Sequence, residues 1–194
     1  MAIAINGSTN IITGVGVGGL PDGIVDTDML AADAVTQPKI GTKTFTSYAI
    51  LADVKSDDTD SGSFTSGAWR TRDINTEISD ADDIVSLSSN QFTLQAGSYL
   101  IEVQATAYRV NRNMIKLYNV TASADIAFGS SMYANTGYNG GSTGYLSTRI
   151  TIGAARTFEI RHRCQSNNTT HGFGQASDFG NNELYLIVKI FKEA

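Results

Sequence analysis

One cysteine, two prolines, two histidines and one tryptophan are all that the 194 residues hold of those types. The lone Cys164 cannot close an intrachain bridge, which excludes a disulfide-stapled scaffold. Met1-Ala2-Ile3-Ala4-Ile5 runs straight into Asn6-Gly7-Ser8, which does not read as a signal peptide, so a reducing cytoplasm is the expected folding compartment. Charge is scarce too, at 17% of residues against a usual share of about 25%. Ser, Thr, Asn and 19 glycines take its place, a composition that suits pleated sheets and tight turns. No apolar run approaches the roughly 20 residues of a spanning helix, so no membrane insertion is expected. The net charge of −5 argues against nucleic acid as a partner. That charge is uneven: residues 1–95 carry 13 acids against 5 bases, and residues 96–194 carry 6 against 9. The basic half has no cluster longer than Arg161 and Arg163, too little for a nucleic-acid surface.

What is present divides near residue 41. Residues 1–41 are rich in Gly, Ala, Asp and small aliphatics and contain both prolines, Pro21 and Pro38. They read as an extended arm with a short helical turn, capped by Asp26 or Thr27, running through Met29 and Leu30 and stopped by Pro38. Ile3, Ile5, Ile11, Ile12, Val15, Val17 and Leu20 are too few to form a core. They are expected to be buried by sister chains or by a separate partner, as an anchor. Residues 42–194 form the head. Tyr99, Ile101, Val103, Ala105 and Ala107 alternate with polar neighbours at the period of a half-buried strand. Similar patterns at Phe45 to Val54, Ala68 to Ile74, Ile84 to Leu87, Gln91 to Leu94, Met114 to Val120, Leu146 to Ile152 and Phe158 to Cys164 bring the count, with the last strand, to about nine. The expected class is all-β, a sandwich or barrel.

The last strand is apolar on both sides. Leu184, Leu186, Val188 and Ile190 suit a core, while Tyr185, Ile187 and Phe191 fall on the face that an antiparallel sandwich normally leaves to water. Either a loop of the same chain covers that face or copies of the chain meet there, and self-association is the expectation.

Several blocks resemble a known family. Phe92-Thr93-Leu94-Gln95-Ala96-Gly97-Ser98-Tyr99-Leu100-Ile101 is similar to the Gly-x-Tyr opening of a central strand in tumour-necrosis-factor-like and complement-head-like jelly rolls. The closing Leu184 to Phe191 resembles the strand that those domains place beside a threefold axis. Trp69 to Thr76 and Thr157 to Cys164 resemble blocks of bacteriophage versions. Gly19 to Gly23, Met29 to Thr36 and Lys39-Ile40 resemble the segments before such heads in phage fibre and capsid-decoration proteins. The resemblance implies a homotrimeric jelly-roll β-sandwich on the virion surface, made in the host cytoplasm and held by its arm to capsid or tail proteins of the same virion. Residues 1–41 hold neither a collagen-like repeat nor a long fibre shaft, so a phage head is expected sooner than an animal relative or a conventional long tail fibre.

Chemistry is harder to find. Gly14-Val15-Gly16-Val17-Gly18-Gly19 fits a dinucleotide-binding pattern, but Leu20-Pro21-Asp22-Gly23 makes a turn where a helix must begin. The acids Asp57, Asp58, Asp60 and Asp80, Asp82, Asp83 read as solvated loops, and Gly62 breaks an EF-hand spacing. His162 and Cys164 share a face with Phe158 and Ile160, which suits core residues better than zinc ligands. No catalytic constellation, metal or cofactor is expected. The segment Met132 to Tyr145 has the make-up of an adaptable binding loop. Its Tyr133, Asn135, Tyr138, Asn139 and Tyr145 are candidate contacts to a host cell-surface glycan, rings for stacking and amides for hydroxyls.

Overall fold

The computed structural model describes residues 44–194 and the backbone of two short N-terminal strands. The chain divides into two compact units, Met1–Thr42 and Lys43–Ala194. In the first, β1 (Ala4–Asn6) and β2 (Ile11–Thr13) pair antiparallel, with Ile5 opposite Ile12 and Asn6 opposite Ile11. The expected helical turn at Met29 and Leu30, the glycines 14–19, and Ile3, Val15, Val17 and Leu20 lie outside the described residues.

The second unit contains β3 (Phe45–Lys55), β4 (Arg70–Thr71), β5 (Thr76–Ser79), β6 (Val85–Ser88), β7 (Gln91–Leu94), β8 (Gly97–Tyr108), β9 (Asn111–Asn119), β10 (Ala124–Phe128), β11 (Met132–Ala134), β12 (Gly141–Ile152), β13 (Arg156–Cys164) and β14 (Glu183–Glu193). A five-stranded antiparallel sheet has the order β12-β8-β14-β3-β5. A seven-stranded sheet has the order β10-β9-β13-β7-β6, with β11 added to β9 and β4 to β13. Each sheet interleaves strands from the two ends of the head, so β14 lies between β8 and β3. Tight turns fix the register locally. Ser89 and Asn90 both adopt positive φ in the two-residue turn between β6 and β7, the conformation that matches the twist of a hairpin.

The core sits between the sheets because period-two alternation puts one set of side chains inward. Tyr99, Ile101, Val103 and Ala105 of β8 and Leu186, Val188 and Ile190 of β14 meet Ile115 and Leu117 of β9, Phe158 and Ile160 of β13, and Phe92 and Leu94 of β7. Burying each large side chain contributes roughly 1.5–3 kcal/mol. At one end the packing turns polar. Arg72 is fully buried and donates from Nη1 to the carbonyls of Thr106 (2.7 Å) and Phe173 (3.3 Å) and from Nη2 to that of Tyr185 (3.2 Å). Its guanidinium lies 4.4 Å from the Phe173 ring centroid and 3.9 Å from buried Asp53, which also accepts from the Ser61 hydroxyl. Burial pulls Arg72 down to about 10, with Asp53 opposing, so it stays charged at neutral pH.

The expectation of Met132 to Tyr145 as one loop is corrected here, since it holds β11 and the start of β12, and Ala68 to Ile74 shrinks as a strand to Arg70–Thr71; β10 was not expected. β10 escapes the alternation rule because its pairing with β9 shifts register between Asp125 and Ala127.

Candidate functional site

Two outer faces of the sandwich carry the residues singled out in the sequence. On the five-stranded sheet, register aligns Tyr145, Gln104, Ile187 and Ala52 in one row across the strands. The next rows are Ser147, Glu102, Lys189 and Ile50, then Arg149, Leu100, Phe191 and Tyr48. Tyr145 and Tyr48 are exposed, Ile187 and Phe191 half-buried, and Phe191 packs on Phe45 with ring centroids 5.3 Å apart. A cleft of about 380 Å³ opens here, lined by Tyr145, Gln104, Ile187, Lys189 and Glu102 among others. The result is a largely apolar face with Glu102 opposite Lys189 at its centre and the Arg149–Glu193 pair at its rim.

Of the three residues expected at a subunit interface, Ile187 and Phe191 stand on this face and Tyr185 does not. Strict alternation fails because a bulge between Leu184 and Leu186 sets two residues of β14 against one of β3. The faces therefore exchange: Leu184, expected in the core, is exposed, and Tyr185 is buried within its own chain. The Tyr185 ring lies against Gly174, where any Cβ would collide with it, and its hydroxyl donates to the Thr59 carbonyl at 2.9 Å. A loop of the same chain covers Tyr185.

The tyrosine-rich segment is also not one loop. Tyr133 lies on β11 opposite Arg112, and Tyr145 lies on β12 opposite Gln104, in the other sheet. Residues 135–140 alone connect them. Asn135 serves the turn itself, its Oδ1 accepting from the Gly137 amide at 2.7 Å and its carbonyl from Gly140. Tyr138 and Asn139 are exposed at the apex. The five candidates thus face three directions. Tyr133 instead lines a groove of about 960 Å³ on the outer face of the seven-stranded sheet, with Trp69 as its other aromatic. Trp69, Arg112 and Arg163 were not singled out as site residues, since the register of β9 with β11 and β13 sets the arginines beside Tyr133, and contacts with Lys116 and Phe128 set Trp69 there.

The soft ligands fall in the interior. His162 is fully buried, its Nε2 3.0 Å from Asn113 Oδ1 and its Nδ1 3.3 Å from Arg72 Nη1. Donation from Arg72 makes Nδ1 the acceptor, so the ring is neutral with its proton on Nε2. Burial, aided by Arg72, holds its pKa well below the ordinary value. Burial pushes the Cys164 thiol up to about 11, which keeps it protonated at neutral pH. His171 lies 3.5 Å from Asp60, on another part of the surface. Asp80 accepts from the amides of Ile84 and Val85 as a turn-forming acid does, while Asp57 and Asp60 accept from the amides of Gly180 and Ala176 and tie their loop to the one before β14. Among the described residues no group of three His, Cys, Asp or Glu is placed to hold a metal ion.

Comparison of the whole chain with solved structures gives the Eiger TNF of S. frugiperda at a TM-score of 0.51, with 12% identity over 78% of this chain and 94% of that one. The fold is that of the tumour-necrosis-factor-like jelly rolls. The globular domain of zebrafish complement 1qA is similar at a TM-score of 0.49 and 12% identity, covering 75% of this chain and 96% of that one. Vertex protein P5 of PRD1 is similar at 0.45 and 14%, covering 78% and 100%. No protein-family model and no curated protein sequence matches the chain.

Proposed function

We propose that this chain is a non-enzymatic structural protein on the exterior of a phage virion. It is a homotrimeric knob that residues 1–41 anchor to the capsid, as a decoration, cement or head-fibre protein. The observation that carries the reading is the outer face of the five-stranded sheet. Ile187, Phe191, Leu100, Ile50 and Tyr48 form a contiguous apolar surface on a jelly roll, and contiguous apolar surfaces of this kind mark interfaces. Glu102 and Lys189, neighbours across the strands, offer opposite charges within the same patch to groups on an adjoining copy. The phage assignment rests on the Trp69 to Thr76 and Thr157 to Cys164 blocks and on the resemblance of the arm. Threefold repetition would multiply each weak contact of the arm with the shell.

The test is direct. The purified chain should sediment at three times its chain mass, and removal of residues 1–40 should leave that trimer soluble while abolishing its association with particles. A trimer that still decorates particles without its arm overturns the anchor.

A second reading, a fibre-tip adhesin that holds host glycans, is favoured by one feature: Tyr133 and Trp69 line the same open groove. In that case purified heads should block adsorption of the phage to cells.

A further inference from the structure

The groove on the seven-stranded sheet has a charge opposite to that of the chain. The protein as a whole carries −5, yet no acidic residue lines the groove, and two arginines, Arg112 and Arg163, do. Arg163 pairs with Met114 across β13 and β9, which makes Arg112, two residues along β9, its diagonal neighbour on the same face. Diagonal neighbours lie roughly 7 Å apart, close enough for two guanidinium groups to converge on one carboxylate. Both arginines are exposed, and among the described residues neither has a carboxylate within ion-pair distance. The other cations of this face are committed elsewhere. Lys116 pairs with Asp125, and Arg161 with Glu159.

Aromatic rings stand at the margins of this basic floor. Trp69 is held by Lys116, whose Nζ lies 4.3 Å from its ring centroid, and by Phe128 at 6.0 Å. The loop before it is pinned: Arg70 donates to the carbonyls of Thr65 and Ser66, and the Ser66 amide donates to Asn167 Oδ1 at 2.7 Å. Across the floor, Met132 turns inward onto Gly144, where any Cβ would collide with it. Alternation then turns Tyr133 outward, 57% exposed and opposite Arg112. An open groove with ring faces at its margins and unneutralised guanidinium groups on its floor suits a ligand with flat apolar ring faces and fixed negative charge.

The geometry points to a binding site for acidic saccharides: sugar rings against Trp69 and Tyr133, and a ring carboxylate on Arg112 and Arg163. The inference rests on the attachment reading and names its ligand class; the trimer and the anchor are independent of it. Trp69 is the single tryptophan of the chain, so its fluorescence reports the groove directly. The full chain is titrated with a short oligogalacturonate, with its methyl ester, in which the carboxylates are capped, and with short duplex DNA. We expect a saturable change with the oligogalacturonate alone, weakened at least about tenfold by Arg112→Ala or Arg163→Ala and left unchanged by Phe179→Ser on a distant exposed loop. Both arginines are exposed, and unchanged melting of the variants would show that folding is intact. Absence of saturable binding overturns the site. Equal binding of the methyl ester overturns the charge readout. DNA binding with the same arginine dependence reduces the groove to a bare anion surface and overturns it as well. If purified heads block adsorption to cells while no saccharide binds, the attachment reading stands and this site does not.

Discussion

On the five-stranded sheet the outer rows run Tyr145–Gln104–Ile187 and Arg149–Leu100–Phe191; on the seven-stranded sheet they run Phe128–Lys116–Arg161 and Tyr133–Arg112. Both faces hold aromatic and aliphatic groups outside the core, but they satisfy them differently. On the second face Arg161 lies 3.4 Å over the Tyr118 ring and Lys116 sits between Trp69 and Tyr118, each cation also paired with an acid. Much of that face is covered within one chain, with the groove beside Trp69 and Tyr133 left open. On the first face, Ile187, Leu100 and Phe191 neighbour Ala52, Ile50, Tyr48 and Phe45, with the charges set in the row between them and at the rim. A surface finished by its own cations has its apolar groups covered within one chain; one left apolar over three strands is where the proposed trimer would close.

The largest effect should come from charging the unfinished face. Ile187→Asp places a carboxylate in the proposed interface and should convert the trimer to single chains, read by sedimentation, with secondary structure unchanged. Arg163→Asp on the other face should leave assembly intact. Wild-type protein that already sediments as one chain breaks the comparison outright.

Next in size is Arg72→Ala, which removes what the two sheets share. The side chain reaches carbonyls on β8 and β14 and the His162 ring on β13, and its loss leaves Asp53 buried with less compensation. The expected cost is about 3–5 kcal/mol in urea denaturation. It should appear as one transition for both sheets, whereas Ile187→Asp should act on association. A loss below about 1 kcal/mol would mean that the polar end of the sandwich does not couple them.

His162 makes a smaller, pH-dependent contribution. Its folded pKa lies well below the ordinary 6.5, so below about pH 6.5 the unfolded chain binds a proton that the folded chain refuses. Stability should therefore fall with falling pH, by up to about 1.4 kcal/mol per pH unit from this group, until the folded ring titrates. His162→Gln should lose part of its stability at pH 8 yet show a flatter decline between pH 6.5 and 5. A wild-type profile flat through that window contradicts the neutral buried ring.

Smaller again is Lys116→Met on the finished face. The change removes the ion pair to Asp125 and the contact with Trp69 but keeps the aliphatic stem, so about 1–2 kcal/mol is expected from thermal melts, with assembly unaffected.

Strand identity was legible wherever a strand lies centrally and alternates without interruption. β7 ends where the pattern puts it, and β3, β8, β9, β13 and β14 differ from the expected runs mainly at their ends, whereas the edge strand β12 begins at Gly141, inside the segment expected as a loop. What escaped has a physical cause in each case. β5, β10 and β11 are short additions at sheet edges, half solvated, with too few residues to show a period. Tyr185 was assigned to the wrong face because a single bulge reverses every face beyond it. His162 was legible as a core residue since it shares a side with Phe158 and Ile160, but its partners Asn113 and Arg72 come from other strands. The groove was illegible for the same reason. Tyr133, Arg112 and Arg163 are drawn together by pairings between β11, β9 and β13, and only Tyr133 sits in a segment whose composition hints at binding.

The smallest expected effect marks the rim of the unfinished face. Arg149 is paired through two nitrogens with Glu193, at 2.7 and 2.6 Å, and holds the Glu193 carboxyl below its ordinary range. Its side chain is nonetheless 74% exposed on the edge strand β12, where water and salt screen the attraction. Arg149→Ala should leave the melting temperature within measurement error in the Ile187→Asp background, where no interface forms. Arg149 shares a row with Leu100 and Phe191 but stands at its outer end, so the same null result is expected in the proposed trimer. A clear loss confined to the assembled form would mean that the copies bury the whole row out to β12, and would extend the interface across the full width from Tyr48 to Arg149.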